Sequence, residues 1–291
     1  MNTDTGTLET SPAVRAWRML RLGLHLTEGV LTTALFFPLV GPEARVRLKC
    51  RWCRNGLGIL GIRLRIIGTP PRVDGPLMLV ANHVSWLDIF LINTAWSARF
   101  VAKSEIRKWP VVGWLSARSG TLFIERERRR DTARINDSVA DALRAGDRVV
   151  VFAEGTTTDG TEVLPFHASL LQPIVATGGT AVPVAMRYLY PDGRRSEHAT
   201  YTGTRSLLES MRLLASQRET VAELAFCEPV ATLGLHRRDL AEQSAALIAA
   251  ALSLPAPGTR RKKASGLPAE PPSRLVPRDT PYPAPEAVTR T

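Results

Sequence analysis

Seven residues, N-H-V-S-W-L-D at positions 82–88, set a histidine and an aspartate five places apart, directly after the apolar run P-L-M-L-V-A. An imidazole can take a proton from a hydroxyl near neutral pH. A carboxylate behind it fixes the tautomer and stabilises the imidazolium. Spacing constrains how His83 and Asp88 could meet. A helix turns about 100° per residue, so the two would stand about 140° apart on one helix and share no face. They meet only if His83 stands in a loop and Asp88 in the first helical turn. S-W-L-D has the form of a capping box, with Ser85 expected as N-cap and Asp88 at N3. The stretch fits a general base with its orienting carboxylate. By itself it equally fits a plain helix start beside an incidental histidine.

Two further stretches carry groups suited to holding a substrate. In V-V-V-F-A-E-G-T-T-T-D-G, an apolar strand delivers Glu154 to a loop with Gly155, Thr156 and two more threonines. Glycines permit tight turns, and threonine hydroxyls with free N–H groups can hold an anionic or hydroxylated ligand. The loop lacks the G-x-x-x-x-G-K-[ST] pattern of a P-loop. In G-T-L-F-I-E-R a strand ends on Glu125 and Arg126, and the Arg126 guanidinium suits bidentate binding of phosphate or carboxylate. No G-x-S-x-G elbow surrounds Ser85 or Ser169, which argues against a serine hydrolase.

Positioning these groups requires strands that end near one another. P-L-M-L-V-A, R-F-V-A, T-L-F-I, R-V-V-V-F-A and A-V-P-V-A-M-R-Y read as strands. L-D-I-F-L-I-N-T-A-W reads as a helix, as does D-T-A-R-I-N-D-S-V-A-D-A-L-R-A-G, with Ile135, Val139 and Leu143 at helical spacing and Gly146 as its stop. Alternation of this kind predicts an α/β domain: a mixed β-sheet flanked by helices, over residues 61–254.

The first 60 residues predict a membrane-associated helical region. Leu20–Val40 is mostly apolar and nearly long enough to span a bilayer, but His25, Glu28, three threonines and Pro38 interrupt it. Arginines flank both ends, which fits a segment lying in or dipping into the interface. Residues 43–67 read as a basic amphipathic helix running into a strand, which can meet acyl chains through Trp52, Leu57 and Ile59 or equally cover a soluble domain. No small-residue cleavage site follows the apolar part, which argues against a signal peptide. Nine of the 21 prolines lie in residues 255–291, which predicts a disordered basic tail.

The formal charge of +11 asks for an anionic partner, and no nucleic-acid-binding motif accompanies it. Three cysteines, Cys50, Cys53 and Cys227, make no disulfide framework and fit a reducing compartment. The C-x-x-C spacing of Cys50 and Cys53 lacks the second ligand pair of a zinc site. His25, His167, His198 and His236 have no partner at suggestive spacing and read as structural or surface residues.

N-H-V-S-W-L-D, G-T-L-F-I-E-R, F-A-E-G-T and V-P-V-A-M-R-Y stand in the order and at about the distances of four blocks of the glycerolipid acyltransferase family, which includes the lysophosphatidic acid acyltransferases. The sequence resembles that family over residues 60 to 190, and V-A-K-S-E-I-R-K-W-P-V-V-G-W-L is similar to its segment between the first two blocks. The resemblance implies transfer of an acyl group from acyl-CoA or acyl-carrier protein to the hydroxyl of a lysolipid. His83 would act as base and Asp88 would orient it. Arg126, Glu154, Gly155, Thr156 and Lys103 would position the acceptor, and no metal or redox cofactor is implied. It further implies an enzyme held on anionic lipid at the cytoplasmic face of the cell membrane.

Two departures bear on the acceptor. Ala153 stands where the third block has proline, and Thr157 stands where many members that use phosphate-bearing acceptors have a basic residue. The acceptor expected first is 1-acyl-sn-glycerol-3-phosphate. The alternative is lyso-ornithine lipid, because E-G-T-T-T-D-G followed by L-P-F-H-A-S-L-L resembles that branch. A lipid-binding module without activity is the lesser alternative, opposed by the intact His83 and Asp88.

Overall fold

The computed structural model describes residues 8–124, 129–203 and 205–257, apart from the side chains of 129–135. The elements run α1 (Pro12–Leu31), a π turn (Thr32–Phe36), a 3-10 turn (Phe37–Leu39), α2 (Pro42–Ile59), β1 (Ile62–Ile67), β2 (Leu77–Ala81) and α3 (Asp88–Ala95). Then come β3 (Arg99–Lys103), a 3-10 turn (Ser104–Lys108), α4 (Val112–Arg118), β4 (Leu122–Ile124), α5 (Arg129–Arg144) and β5 (Arg148–Phe152). A 3-10 turn (Ala168–Leu171), α6 (Gln172–Thr177), β6 (Thr180–Leu189), α7 (Leu207–Ser216), β7 (Thr220–Phe226), β8 (Val230–Ala231) and α8 (Arg237–Ala251) complete the order.

The sheet is mixed and flanked by helices, as the alternation predicted. Its order is β1-β7-β6-β2-β5-β3-β4, with β8 beside β6. From β6 to β4 the neighbours are parallel, so five strands end at one edge. β7 is antiparallel to β6 and parallel to β1, so these two strands begin at that same edge. β2 sits mid-sheet with all five residues buried, which is why it reads as an unbroken apolar run. Alternate side chains serve opposite faces. Leu79 and Ala81 join α2, α3 and α7 in one core cluster, while Met78 and Val80 join α5, α6 and α8 in the other.

The amino-terminal helices pack onto the first of these faces. α1 is tied down at its start: Thr10 N–H donates to the Ser216 carbonyl, Arg218 N–H donates to Leu8, and the Arg18 guanidinium donates to the carbonyls of Ala215, Gln217 and Arg218. Pro12 at the first turn and Ser11 as N-cap start the helix. His25 and Gly29 are buried, while Trp17, Leu20, Leu24 and Leu31 point outward, each more than half exposed. By length and composition, Pro12–Leu39 is apolar enough to cross a membrane.

Of the two readings of helix α2, the structure takes the one in which it covers the domain, and Trp52, Leu57 and Ile59 do not face acyl chains. Leu57 and Ile59 are buried. Trp52 stacks on His25 at 4.7 Å, packs beside Phe90 and donates its indole N–H to the His25 carbonyl. A Cβ on Gly29 would stand 2.7 Å from the Trp52 ring, so this close helix crossing requires glycine. The apolar side of α2 covers the protein core, because strand β1 and helix α3 offer it a dry face. Of the proline-rich stretch 255–291, residues 258–291 lie outside the described residues.

Candidate active site

β2 ends at Ala81, and Asn82 extends its ladder with a side chain. The Asn82 amide donates to the Met186 carbonyl at 3.0 Å and accepts from Met186 N–H at 2.8 Å. The chain then turns into a loop, leaving His83 at the sheet edge where β5 also ends. Asp88 is the first residue of α3 and is fully buried. One of its oxygens, Oδ2, accepts from His83 Nδ1 at 2.8 Å, Val84 N–H at 2.8 Å and Ser85 N–H at 3.0 Å. The other, Oδ1, accepts from the Tyr188 hydroxyl at 2.6 Å.

So histidine in the loop and aspartate at the helix start do meet, but only half of the capping box forms. Asp88 reaches back to Ser85 N–H as the residue at N3 would. The helix nevertheless begins at Asp88, and the buried Ser85 hydroxyl has no partner among the described residues. The carboxylate explains the difference. It bends back over the loop amides, so the loop is organised by Asp88 rather than by Ser85.

With Nδ1–H directed at Asp88, Nε2 of His83 carries the free lone pair of a base. The ring lies flat on Phe152, with centroids 3.9 Å apart and planes within 9°. The His83 side chain is 19% exposed, which leaves an approach for a substrate. Burial first, then the Asp88 charge and hydrogen bond, push the Tyr188 hydroxyl well up, so it stays protonated as a donor.

Glu154, at the end of β5, is buried and holds the adjoining backbone. One oxygen accepts from His83 N–H at 2.7 Å, the other from Leu164 N–H at 2.9 Å. Burial raises its carboxyl to about 7, against the pull of those two amides. Gly155 follows at φ 69°, a left-handed conformation that favours glycine. Thr156 is exposed, while Thr157 donates its hydroxyl to the Tyr201 carbonyl. Thr158 N–H donates to His83 O at 2.8 Å and Tyr201 N–H to Val84 O at 2.9 Å, so two loops brace the histidine loop from either side.

The structure thus brings His83, Asp88 and Glu154 together, with Gly155 and Thr156 beside them. Lys103 ends β3 at the same edge and is exposed. Arg126 lies outside the described residues. Residue-by-residue reading missed three contributors: Tyr188, Asn82 and Phe152. All three sit inside the quoted blocks: Asn82 beside His83, Phe152 two residues before Glu154, and Tyr188 at the end of V-P-V-A-M-R-Y. Nothing in spacing pointed to Tyr188, which is 100 positions from Asp88.

Three of the other four histidines have structural settings. His25 contacts Glu28 and the Trp52 carbonyl, His198 pairs with the Tyr190 hydroxyl, and His236 caps α8. His167 is exposed. Cys50 and Cys53 are buried, and burial pushes the Cys53 thiol up to about 12, which opposes a thiolate role. Among the described residues no three His, Cys, Asp or Glu side chains gather as a metal-binding group.

A family model described as "Acyltransferase" matches residues 63–187, the stretch holding both loops with His83, Asp88 and Glu154. The chain is 36% identical over 222 residues to a lyso-ornithine lipid O-acyltransferase of Pseudomonas aeruginosa, covering 76% of this chain and 84% of the relative. It is 38% identical over 160 residues to a 1-acyl-sn-glycerol-3-phosphate acyltransferase of Neisseria meningitidis serogroup B, covering 55% of this chain and 63% of that one. The fold is similar to the crystal structure of the 1-acyl-sn-glycerophosphate acyltransferase of Thermotoga maritima. The TM-score is 0.58 and the identity 22%, over 82% of this chain and 96% of that one. The histidine loop on a mid-sheet strand, the Glu154 loop beside it and the family match over both agree: the chain belongs to the acyltransferase family.

Proposed function

We propose that this acyltransferase moves a fatty acyl group from a thioester, acyl-CoA or acyl-carrier protein, to the hydroxyl of a membrane lysolipid. The carrying observation is the His83–Asp88 hydrogen bond, which frees Nε2 as the base. Nε2 takes the hydroxyl proton as the acceptor oxygen attacks the thioester carbonyl. The C–O bond forms, the C–S bond breaks, and His83 passes the proton to the departing thiolate. Asp88 keeps the tautomer and stabilises the imidazolium between the two transfers. No acyl-enzyme is needed, because holding both substrates in one site makes the attack effectively unimolecular.

Glu154 acts on this reading through the backbone, since both its oxygens are taken by amides. The open positions for the acceptor headgroup are then Gly155 and Thr156, with Lys103 at the rim and Arg126 completing the set. Two headgroups have specific support. Thr157 is uncharged and tied to Tyr201, and the lyso-ornithine relative aligns over more of both chains; both favour lyso-ornithine lipid. The Neisseria relative favours 1-acyl-sn-glycerol-3-phosphate. We place the reaction at the cytoplasmic face of the membrane, where thioester donors and a basic protein meet anionic lipid.

A thioester-release assay offering lyso-ornithine lipid, 1-acyl-sn-glycerol-3-phosphate and a zwitterionic lysophospholipid in parallel tests both levels. Release with one acceptor far above the others names the headgroup. No release with any of them, or a His83→Ala variant as active as the wild type, would overturn the mechanism.

A further inference from the structure

A second apolar surface stands at the edge of the sheet that carries His83, away from α1. The 3-10 turn Ser104–Lys108 leaves the end of β3, two strands from β2, and leads into α4. Along it Trp109, Val111 and Trp114 are 43%, 42% and 37% exposed. Arg107, Lys108 and Arg118 surround them. The Arg107 guanidinium lies 5.8 Å from the Phe123 ring and that of Arg118 lies 5.9 Å from Trp114. Glu105 is the one acid between residues 103 and 118.

The placement is specific. On β4, Leu122 packs on the core face that holds α5, α6 and α8. Phe123 therefore points to the opposite face. Arg107, above Phe123, marks the segment as lying on the face that carries α2, α3 and, outermost, α1. α1 is tied next to the start of β7, on the other side of β2 in the sheet order. The catalytic loop thus lies between two outward apolar surfaces, one on α1 and one at Trp109–Trp114.

The turn also holds Val111 at φ 62°, with Val112 N–H donating to the Pro110 carbonyl at 2.6 Å, a γ-turn of the positive-φ form. A β-branched residue is strained there, and glycine would relieve the strain. The chain instead keeps a valine that faces solvent. Retained strain beside exposed tryptophans and cations is the signature of a surface that gains its partner outside the protein.

We propose that the Trp109–Trp114 segment is a second interfacial contact with an anionic bilayer. It acts together with α1 to hold the His83 edge against the membrane that supplies the acceptor. This rests on the acceptor being a membrane lysolipid. Tryptophan rings favour the headgroup level, and the three flanking cations complement anionic lipid.

The test uses the full-length protein, phosphatidylcholine vesicles with and without phosphatidylglycerol, and a dispersed short-chain lysolipid as a separate substrate. Trp109→Ser with Trp114→Ser, and separately Arg107→Glu with Lys108→Glu, are expected to lower partition onto the anionic vesicles by about tenfold or more. Turnover of the dispersed substrate should stay within about twofold of wild type. Val111→Gly, which suits the turn, should raise the melting temperature while lowering partition. Partition unchanged in all three variants would overturn the proposal. So would a loss confined to acyl-carrier-protein substrates, which would make the surface a donor dock. Turnover of dispersed substrate that falls as steeply as vesicle binding would show a structural role and also overturn it. A wild type without acyl transfer would count against the function above, while the partition measurements would still decide this surface.

Discussion

Two carboxylates flank His83, and they do different work. Asp88 and Glu154 are both buried, one closing and one opening a loop at the same sheet edge, and both accept backbone N–H groups. Asp88 also receives two side chains, the His83 imidazole and the Tyr188 hydroxyl. Glu154 receives amides alone, from His83 and Leu164. One carboxylate is wired to the His83 ring and the other to the chain that carries it. Proximity of an acid to a histidine does not define its role; the identity of its donors does.

Substitutions should separate the two. His83→Ala is expected to have the largest effect, lowering kcat/KM for acyl transfer by about 10³-fold with little change in melting temperature. Asp88→Asn should follow, at about 10²- to 10³-fold, because a neutral amide neither fixes the tautomer nor stabilises the imidazolium. Equal activity of Asp88→Asn and wild type would erase the contrast drawn above.

Glu154→Gln should act on stability. Its amide group can accept from only one of the two backbone donors, at about 1–3 kcal/mol by denaturant unfolding. The pH profile sharpens the point. The Glu154 carboxyl is raised from 4.5 to about 7, so the protonated form is favoured by folding. Its contribution to stability is full below about 4.5 and is lost as pH rises through about 7. Melting temperature across that window should fall less steeply in Glu154→Gln than in wild type.

Tyr188→Phe is the finer test of the Asp88 side. Losing one hydrogen bond to a carboxylate should lower kcat by about tenfold with KM nearly unchanged. Equal kcat in Tyr188→Phe and wild type would leave the tyrosine a packing role alone. The smallest change is expected for Thr157→Arg. It should raise the ratio of glycerophosphate to ornithine acceptor use by a few-fold in the parallel assay. No movement of that ratio would remove Thr157 from the acceptor site.

Much of the frame was legible beforehand, for identifiable reasons. β2 and β5 announced themselves because they are buried on both faces and so are continuously apolar. α5 showed its core stripe at helical spacing, and Gly146 its positive φ of 83°. β7 and α8 carried no motif and went unread, although β7 reverses the sheet and the turn that leads into it, from the end of α7, anchors α1. The setting of Trp52 stayed open between lipid and core because a helix that covers a core and one that lies on a membrane have the same amphipathic pattern.

The sequence by itself determined the chemistry on offer: a histidine and an aspartate five places apart, an E-G-T loop, and the order of four blocks. It also determined that α1 is rich in apolar residues, though not which of them stay outside the core. Only the tertiary structure decided that Tyr188 closes on Asp88, that Phe152 lies flat on His83, and that the Ser85 hydroxyl finds no partner among the described residues while Asp88 takes the Ser85 amide. Those contacts depend on β2 lying between β5 and β6. Strand order is set by which apolar faces pack, a cooperative property of the whole core that no local spacing encodes.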